Sequence, residues 1–195
     1  MASALRVCVY CASRPGTRPA YMRAAEEIGT AIGRRGWHLV YGGGRVGLMG
    51  GVADAALAAG GRVDGVIPES LMRREMGHTG LTQLHVVTTM HQRKHLMAEH
   101  CDAFIALPGG IGTFEELFEV WSWRHLGYHD RPIGLLDVDG YYQPLLTMMR
   151  HAIDAGFVSD DQLAMVSVQS SADALLDELS ARAARSAPRE DLRRI

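Results

Sequence analysis

Short apolar runs alternate along this chain with longer stretches in which apolar positions recur every three or four residues. The first pattern predicts strands at Arg6–Tyr10, Trp37–Tyr41, Arg62–Ile67, Leu84–Val87, Ala103–Leu107, Pro132–Leu136 and Met165–Val168. The second predicts helices at Tyr21–Arg35, Leu48–Ala59, His91–Glu99, Phe114–His125, Tyr142–Ala155 and Ala172–Ala184. Gly36 ends the first helix, and Pro68 and Pro108 stop the third and fifth strands. Strands that are apolar throughout and separated by helices argue for a parallel sheet buried on both faces. The fold class is therefore α/β, a doubly wound parallel sheet with helices on both faces. Such sheets bind ligands beyond the carboxyl ends of their strands. That directs attention to the loops at 10–19, 42–47, 68–82, 88–93 and 108–113. No repeat or linker is visible, so one domain is expected over 1–184, with a frayed polar tail at 185–195.

Composition narrows the partners. With 20 basic and 22 acidic residues, the net charge of −2 lacks the basic footprint of a nucleic-acid binder. No apolar run reaches the roughly 18 residues of a membrane span. The first residues, MASALRVCVYCAS, carry no apolar core followed by a cleavage site, so a cytoplasmic protein is expected. Three cysteines, Cys8, Cys11 and Cys101, suit reduced thiols better than a disulfide framework. Cys8 and Cys11 form a C-x-x-C, but Cys8 lies in a predicted strand and not at the helix start that a redox thiolate wants. The chain has no Asn and a single lysine, Lys94.

The strongest chemical signal is Pro108-Gly109-Gly110-Ile111-Gly112-Thr113-Phe114-Glu115-Glu116, between an apolar strand and a helix. Its glycines permit close backbone approach and positive φ. Successive N–H groups there can cradle an anion at a helix N-terminus, and phosphate is the natural guest. A plain capping box, Thr113 with Glu116, accounts for part of the pattern but not for the glycines. Gly42-Gly43-Gly44-Arg45-Val46-Gly47 satisfies G-x-G-x-x-G, in the second β-α unit and not the first. Close backbone approach to a nucleotide, or simply a tight turn, suits it better than NAD binding. Met90-His91-Gln92-Arg93-Lys94 opens a helix with two adjacent cations, suited to an anion. His91 and His95 have i, i+4 spacing, but Gln92 stands where a zincin needs Glu, so no metal is expected. Glu75, in the polar loop after the third strand, opens onto the same edge.

These motifs together resemble the LOG (lonely guy) family of cytokinin riboside 5′-monophosphate phosphoribohydrolases. The P-G-G-x-G-T-x-x-E hallmark stands at Pro108–Glu116, and Met90, Arg93 and Lys94 match the Met and R-K pair. Tyr41–Gly44, Gly47–Gly50, Asp102–Leu107, Leu126-Gly127 and Gly140–Tyr142 match too. The likeness runs from about Val7 to Val158. It implies a Rossmann-like nucleotide-binding domain, a homodimer with active sites near the interface, and no cofactor. It implies Arg93 and Glu116 as the catalytic pair. As substrate contacts it implies Ser13, Gly43, Glu75, Met90, Arg93 and Lys94, with Gly109, Gly110, Ile111, Gly112, Thr113, Phe114, Glu115 and Glu116. The chain departs from the family at Ala12, His125 and Asp137, where Gly, Gln and Asn are usual.

The expected reaction is hydrolysis of the N-glycosidic bond of AMP or an N6-substituted AMP, yielding free base and ribose 5-phosphate. A carboxylate, Glu116 first and Glu115 second, would stabilise positive charge on the sugar ring. Decarboxylation through pyridoxal phosphate would require Lys94, on a site otherwise facing phosphate. The alternative is a carrier of nucleotide or molybdenum cofactor that binds its ligand without consuming it.

Overall fold

A computed structural model describes residues 4–73 and 76–186. Seven strands form one sheet: β1 (Arg6–Tyr10), β2 (His38–Tyr41), β3 (Arg62–Pro68), β4 (Gln83–Val87), β5 (Ala103–Ala106), β6 (Ile133–Leu136) and β7 (Val166–Gln169). The helices are α1 (Pro19–Arg34), α2 (Gly47–Ala58), α3 (Met90–Glu99), α4 (Ile111–His125), α5 (Gln143–Asp154), α6 (Asp160–Ala164) and α7 (Ala172–Ala183). The strand order is β4-β3-β2-β1-β5-β6-β7 and every pairing is parallel. The chain steps outward from β1 to β4, then returns to the other side of β1 with β5. The order therefore reverses between β1 and β5, which is where a doubly wound sheet leaves a crevice.

Strand alternation sorts the core onto two faces. Val7 and Val9 point with Leu39, Tyr41 and Ile105 toward Ile28, Val52 and Leu176 of α1, α2 and α7. Cys8 and Tyr10 point with Val40 and Phe104 toward Met97, Leu117 and Leu146 of α3, α4 and α5. Each large side chain buried this way contributes about 1.5–3 kcal/mol. Tyr142 is fully buried because its hydroxyl donates to Leu107 O at 2.7 Å, and burial pushes its pKa up. All three cysteines are buried, and burial raises the Cys8 thiol well above its usual range. No helix among the described residues is long and apolar enough to cross a membrane.

Two elements differ from the sequence pattern. Helix α4 starts at Ile111 with Gly110 as N-cap, one turn before the predicted Phe114. Glycine's poor helix propensity hid that turn. Helix α6 was not predicted; its apolar run is too short, although Ser159 and Gln162 form a reciprocal capping box. The expected tail at 185–195 falls, beyond Ser186, outside the described residues.

Candidate active site

A cleft of about 710 Å³ opens at the β1–β5 reversal, within the size range of small-molecule sites. The carboxyl end of β1 forms its floor, through Val9, Tyr10 and Cys11. Its walls come from the Ala12–Gly16 loop, Gly42, Leu48, Met49 and the Pro108–Thr113 turn. Neighbouring backbones lock these loops together: Ala12 N donates to Pro108 O at 3.3 Å, and Met49 N donates to Ala12 O at 3.2 Å.

Arg93 reaches this cleft from α3. Thr89 caps that helix and Gln92 completes a reciprocal capping box. Gln92, which breaks the zincin pattern, thus has a structural task. The cap sets the helix phase so that Arg93 points inward and is only 5% exposed. Its Nε donates to Val66 O at 3.1 Å and its Nη2 to Gly42 O at 2.8 Å. A Cβ on Gly42 would sit 2.1 Å from Nη2, so a side chain there would displace the guanidinium from this position. A guanidinium anchored on two carbonyls is pre-oriented.

Glu116 enters from α4 and lines the same cleft, half-buried. It lies close enough to Tyr10 to help burial, Cys8 and Cys101 raise that phenol's pKa. The start of α4 faces the cleft through Gly110, Ile111, Gly112 and Thr113. The first N–H groups of a helix have no partner within it, and the helix dipole favours an anion there.

The glycine turn does this without positive φ. Among the described residues the left-handed glycines include Gly43 and Gly47, but none of Gly109, Gly110 and Gly112. The turn therefore offers a helix N-terminus and not the expected left-handed nest. The capping-box alternative also fails: Thr113 is the third helical residue, buried against Gly109. A Cβ on Gly109 would lie 2.1 Å from Thr113 Oγ1. The same turn is braced by Tyr141, whose hydroxyl donates to Gly109 O.

Not every expected contact residue faces this cavity. The Lys94 ammonium is bonded to Glu115 and, at 2.8 Å, to Glu119 of α4, and lines no part of the cleft. Burial works to lower its pKa, but the two carboxylates prevail and raise it. The adjacent cations diverge because consecutive helical residues point about 100° apart. Glu115 is diverted by the same bond, so among the described residues Glu116 is the cleft's carboxylate. Gly43, at φ +76°, packs beneath Ile67 and Leu84 outside the cleft. Phe114 stacks on Tyr141, with ring centroids 6.5 Å apart. Met90 is half exposed, its sulfur 4.0 Å from Arg93 Nη1. Ser13 and the exposed Ile111 line the rim. Glu75 lies outside the described residues.

Other cleft residues were not among the expected contacts: Arg14 and Tyr21, together with Met49 and Tyr141, which stand only within the matching stretches Gly47–Gly50 and Gly140–Tyr142. Arg14 sits on the loop after β1, which the topology argument singled out, but a lone Arg in a polar loop carries no motif. Of the three departures, Ala12 lines the cleft and His125 is exposed in the last turn of α4. Asp137 accepts from Tyr142 N at 2.8 Å and from Gln143 Nε2 at 2.5 Å, supporting the start of α5.

The doubly wound sheet brings an anion-favouring helix start, a buried Arg and a carboxylate into one crevice, an arrangement suited to an anionic small molecule. Residues 49–179 match the model of the family described as possible lysine decarboxylase. The cytokinin riboside 5′-monophosphate phosphoribohydrolase of Rhodococcoides fascians is 56% identical over 154 residues, 78% of each chain. LOG1 of Arabidopsis thaliana, of the same name, is 51% identical over 79% of this chain and 72% of its own. The LOG protein of Oryza sativa subsp. japonica is 50% identical over 80% and 64%. The chain belongs to the LOG family. Its fold is shared with the molybdenum cofactor carrier protein of Chlamydomonas reinhardtii, at TM-score 0.70, 21% identity, and 93% and 99% coverage. The molybdenum cofactor binding protein of Rippkaea orientalis gives 0.69, at 21% identity over 93% and 98%. At that identity the likeness is one of fold alone.

Proposed function

We propose that this chain hydrolyses the N-glycosidic bond of adenosine 5′-monophosphate and its N6-substituted forms, releasing free base and ribose 5-phosphate. The observation that carries this reading is the convergence of Arg93, Glu116 and the start of α4 on one cleft. The relatives' shared name supplies the substrate class.

In this mechanism the 5′-phosphate docks on the first turn of α4, where unpaired N–H groups and the helix dipole meet it. Arg14 and Arg93 are the cleft's cations among the described residues. The ribose then lies toward Glu116. As the bond to the base lengthens, positive charge builds on the sugar, and the Glu116 carboxylate stabilises it and orients water. Arg93, fixed by Val66 and Gly42, holds that carboxylate or the phosphate in place. Decarboxylation through pyridoxal phosphate does not fit these residues. It needs an uncharged lysine amine, and Lys94 is held protonated by two carboxylates outside the cleft.

The test is to incubate the protein with AMP, N6-isopentenyl-AMP and adenosine and measure free base and ribose 5-phosphate. Release from the nucleotides, poor turnover of adenosine, and loss with Glu116→Gln are expected. Binding of nucleotide without release would establish the carrier reading instead. We also infer a homodimer in the cytoplasm. The Lys94 bond sets α3 beside α4, and the exposed Met90, Ile111 and Phe118 lie on these two helices, an apolar margin suited to a second copy. Light scattering after gel filtration gives the mass directly.

A further inference from the structure

A second cluster lies under α3, assembled by the register of the sheet. Parallel partners point to the same face, and the pairs Arg6↔His38, Val40↔Asp64 and Val66↔His85 place Arg6, His38, Asp64 and His85 together. His100, just after α3, closes over them, its ring centroid 5.5 Å from that of His85. One donor atom each from Asp64, His85 and His100 lies within 4.8 Å of the others. Asp64 is only 4% exposed.

These atoms are orphans. Asp64 Oδ1, His85 Nε2 and His100 Nδ1 are buried and have no hydrogen-bond partner among the described residues. His38 Nε2 approaches Asp64 Oδ1 at 3.0 Å, yet neither atom finds hydrogen-bond geometry. Arg6 reaches the other carboxylate oxygen, Oδ2, at 3.5 Å and so leaves Oδ1 to the cluster. Arg6 Nε and His38 Nε2 are likewise buried without a hydrogen-bond partner among the described residues; unpaired buried polar atoms are costly, and the mutual proximity of the Asp64, His85 and His100 donors calls for an occupant.

We propose that Asp64, His85 and His100 bind a transition-metal ion of the zinc class. Two imidazole nitrogens and one carboxylate oxygen form a ligand set that zinc accepts at about 2.0–2.2 Å in tetrahedral geometry. Ligand atoms around such an ion lie about 3.5 Å apart, so the donors draw in by about an ångström through side-chain rotation. Imidazole donors favour zinc, cobalt or nickel over magnesium and calcium. The ion ties β3, the edge strand β4 and the end of α3 together, at the opposite end of α3 from Met90 and Arg93.

The test uses EDTA-stripped full-length protein dialysed against Zn²⁺ with excess Mg²⁺, with bound metal measured by mass spectrometry. One Zn²⁺ per chain is expected, with Co²⁺ giving the visible bands of a tetrahedral site. His85→Asn, His100→Asn and the isosteric Asp64→Asn should each weaken binding by more than about 100-fold, beyond the roughly 10–100-fold that loss of a mere outer partner of a ligand costs, with far-UV circular dichroism confirming that each variant is folded. His91→Ala/His95→Ala should bind as well as the parent. Failure to retain Zn²⁺, or undiminished retention in the folded Asp64→Asn and His85→Asn variants, overturns the proposal. Loss of the ion with His91→Ala/His95→Ala would do so too, by moving it to the outer surface of α3.

Discussion

Two glycine-rich turns follow strands on the same edge of the sheet and read alike in one dimension, but they do different physical work. The turn after β2 is a junction. Gly43 and Gly47 adopt φ of +76° and +60°, and the turn is fastened to the loop after β3. Arg45 N donates to Met76 O at 3.1 Å and His78 N to Gly43 O at 2.9 Å. His78 in turn accepts from Gly80 N at Nδ1, so its Nε2–H donates to Asp54 of α2 at 2.9 Å. The turn after β5 uses no left-handed residue, and a Cβ on Gly110 or Gly112 would meet nothing within 4 Å. Gly110 and Gly112 keep space open at a helix start, while Gly109 makes room for Thr113. The lesson is that a glycine motif specifies either a backbone conformation or a vacancy for a ligand, and only the surroundings tell which.

The largest expected effect lies at the open turn. Glu116→Gln should lower turnover by at least about 10² while nucleotide binding is largely kept. Near-normal turnover would mean that the helix after this turn binds but does not catalyse. Next comes Gly47→Ala at the junction. The new Cβ would be forced into left-handed backbone, 2.4 Å from Arg14 N and Ser13 C. A loss of about 2–4 kcal/mol is expected, lowering the melting temperature by about 5–15 °C. An unchanged melting curve would show that the junction yields easily and the contrast is false.

Gly110→Ala makes the converse case. Gly110 is extended, at φ −97° and ψ −156°, so stability should change by under about 0.5 kcal/mol. The added methyl faces the nucleotide's approach and should raise KM about tenfold, or about 1.4 kcal/mol. A stability loss without a KM change would make this turn a junction like the first. The smallest effect is expected for Lys94→Gln, with kcat/KM within about twofold and stability down by about 1 kcal/mol. A large rise in KM for AMP, absent for adenosine, would return the ammonium to phosphate binding.

Much of this architecture was legible in one dimension. The central strands appear as buried apolar runs because both sheet faces are covered, whereas Asp64 of β3, His85 of the edge strand β4 and Ser167 of β7 interrupt theirs. The location of the site followed from the fold class, since a doubly wound sheet exposes its crevice at the strands' carboxyl ends. The placement of Arg93, Glu116 and the glycine turn after β5 at that edge was readable because local motifs carry them there, and that of Ser13 from the family resemblance.

Side-chain direction and long-range contact were not readable. Arg93 and Lys94 are neighbours in sequence, yet one is held on Val66 and Gly42 and the other on Glu115 and Glu119. Asp64, His85 and His100 share no spacing that a motif could encode. Sequence by itself determined the seven strands and the six longer helices, though not the five-residue α6, because burial periodicity is a local property of the chain. The tertiary structure alone decided which polar groups meet, because sheet register and helix phase are fixed by packing between distant segments.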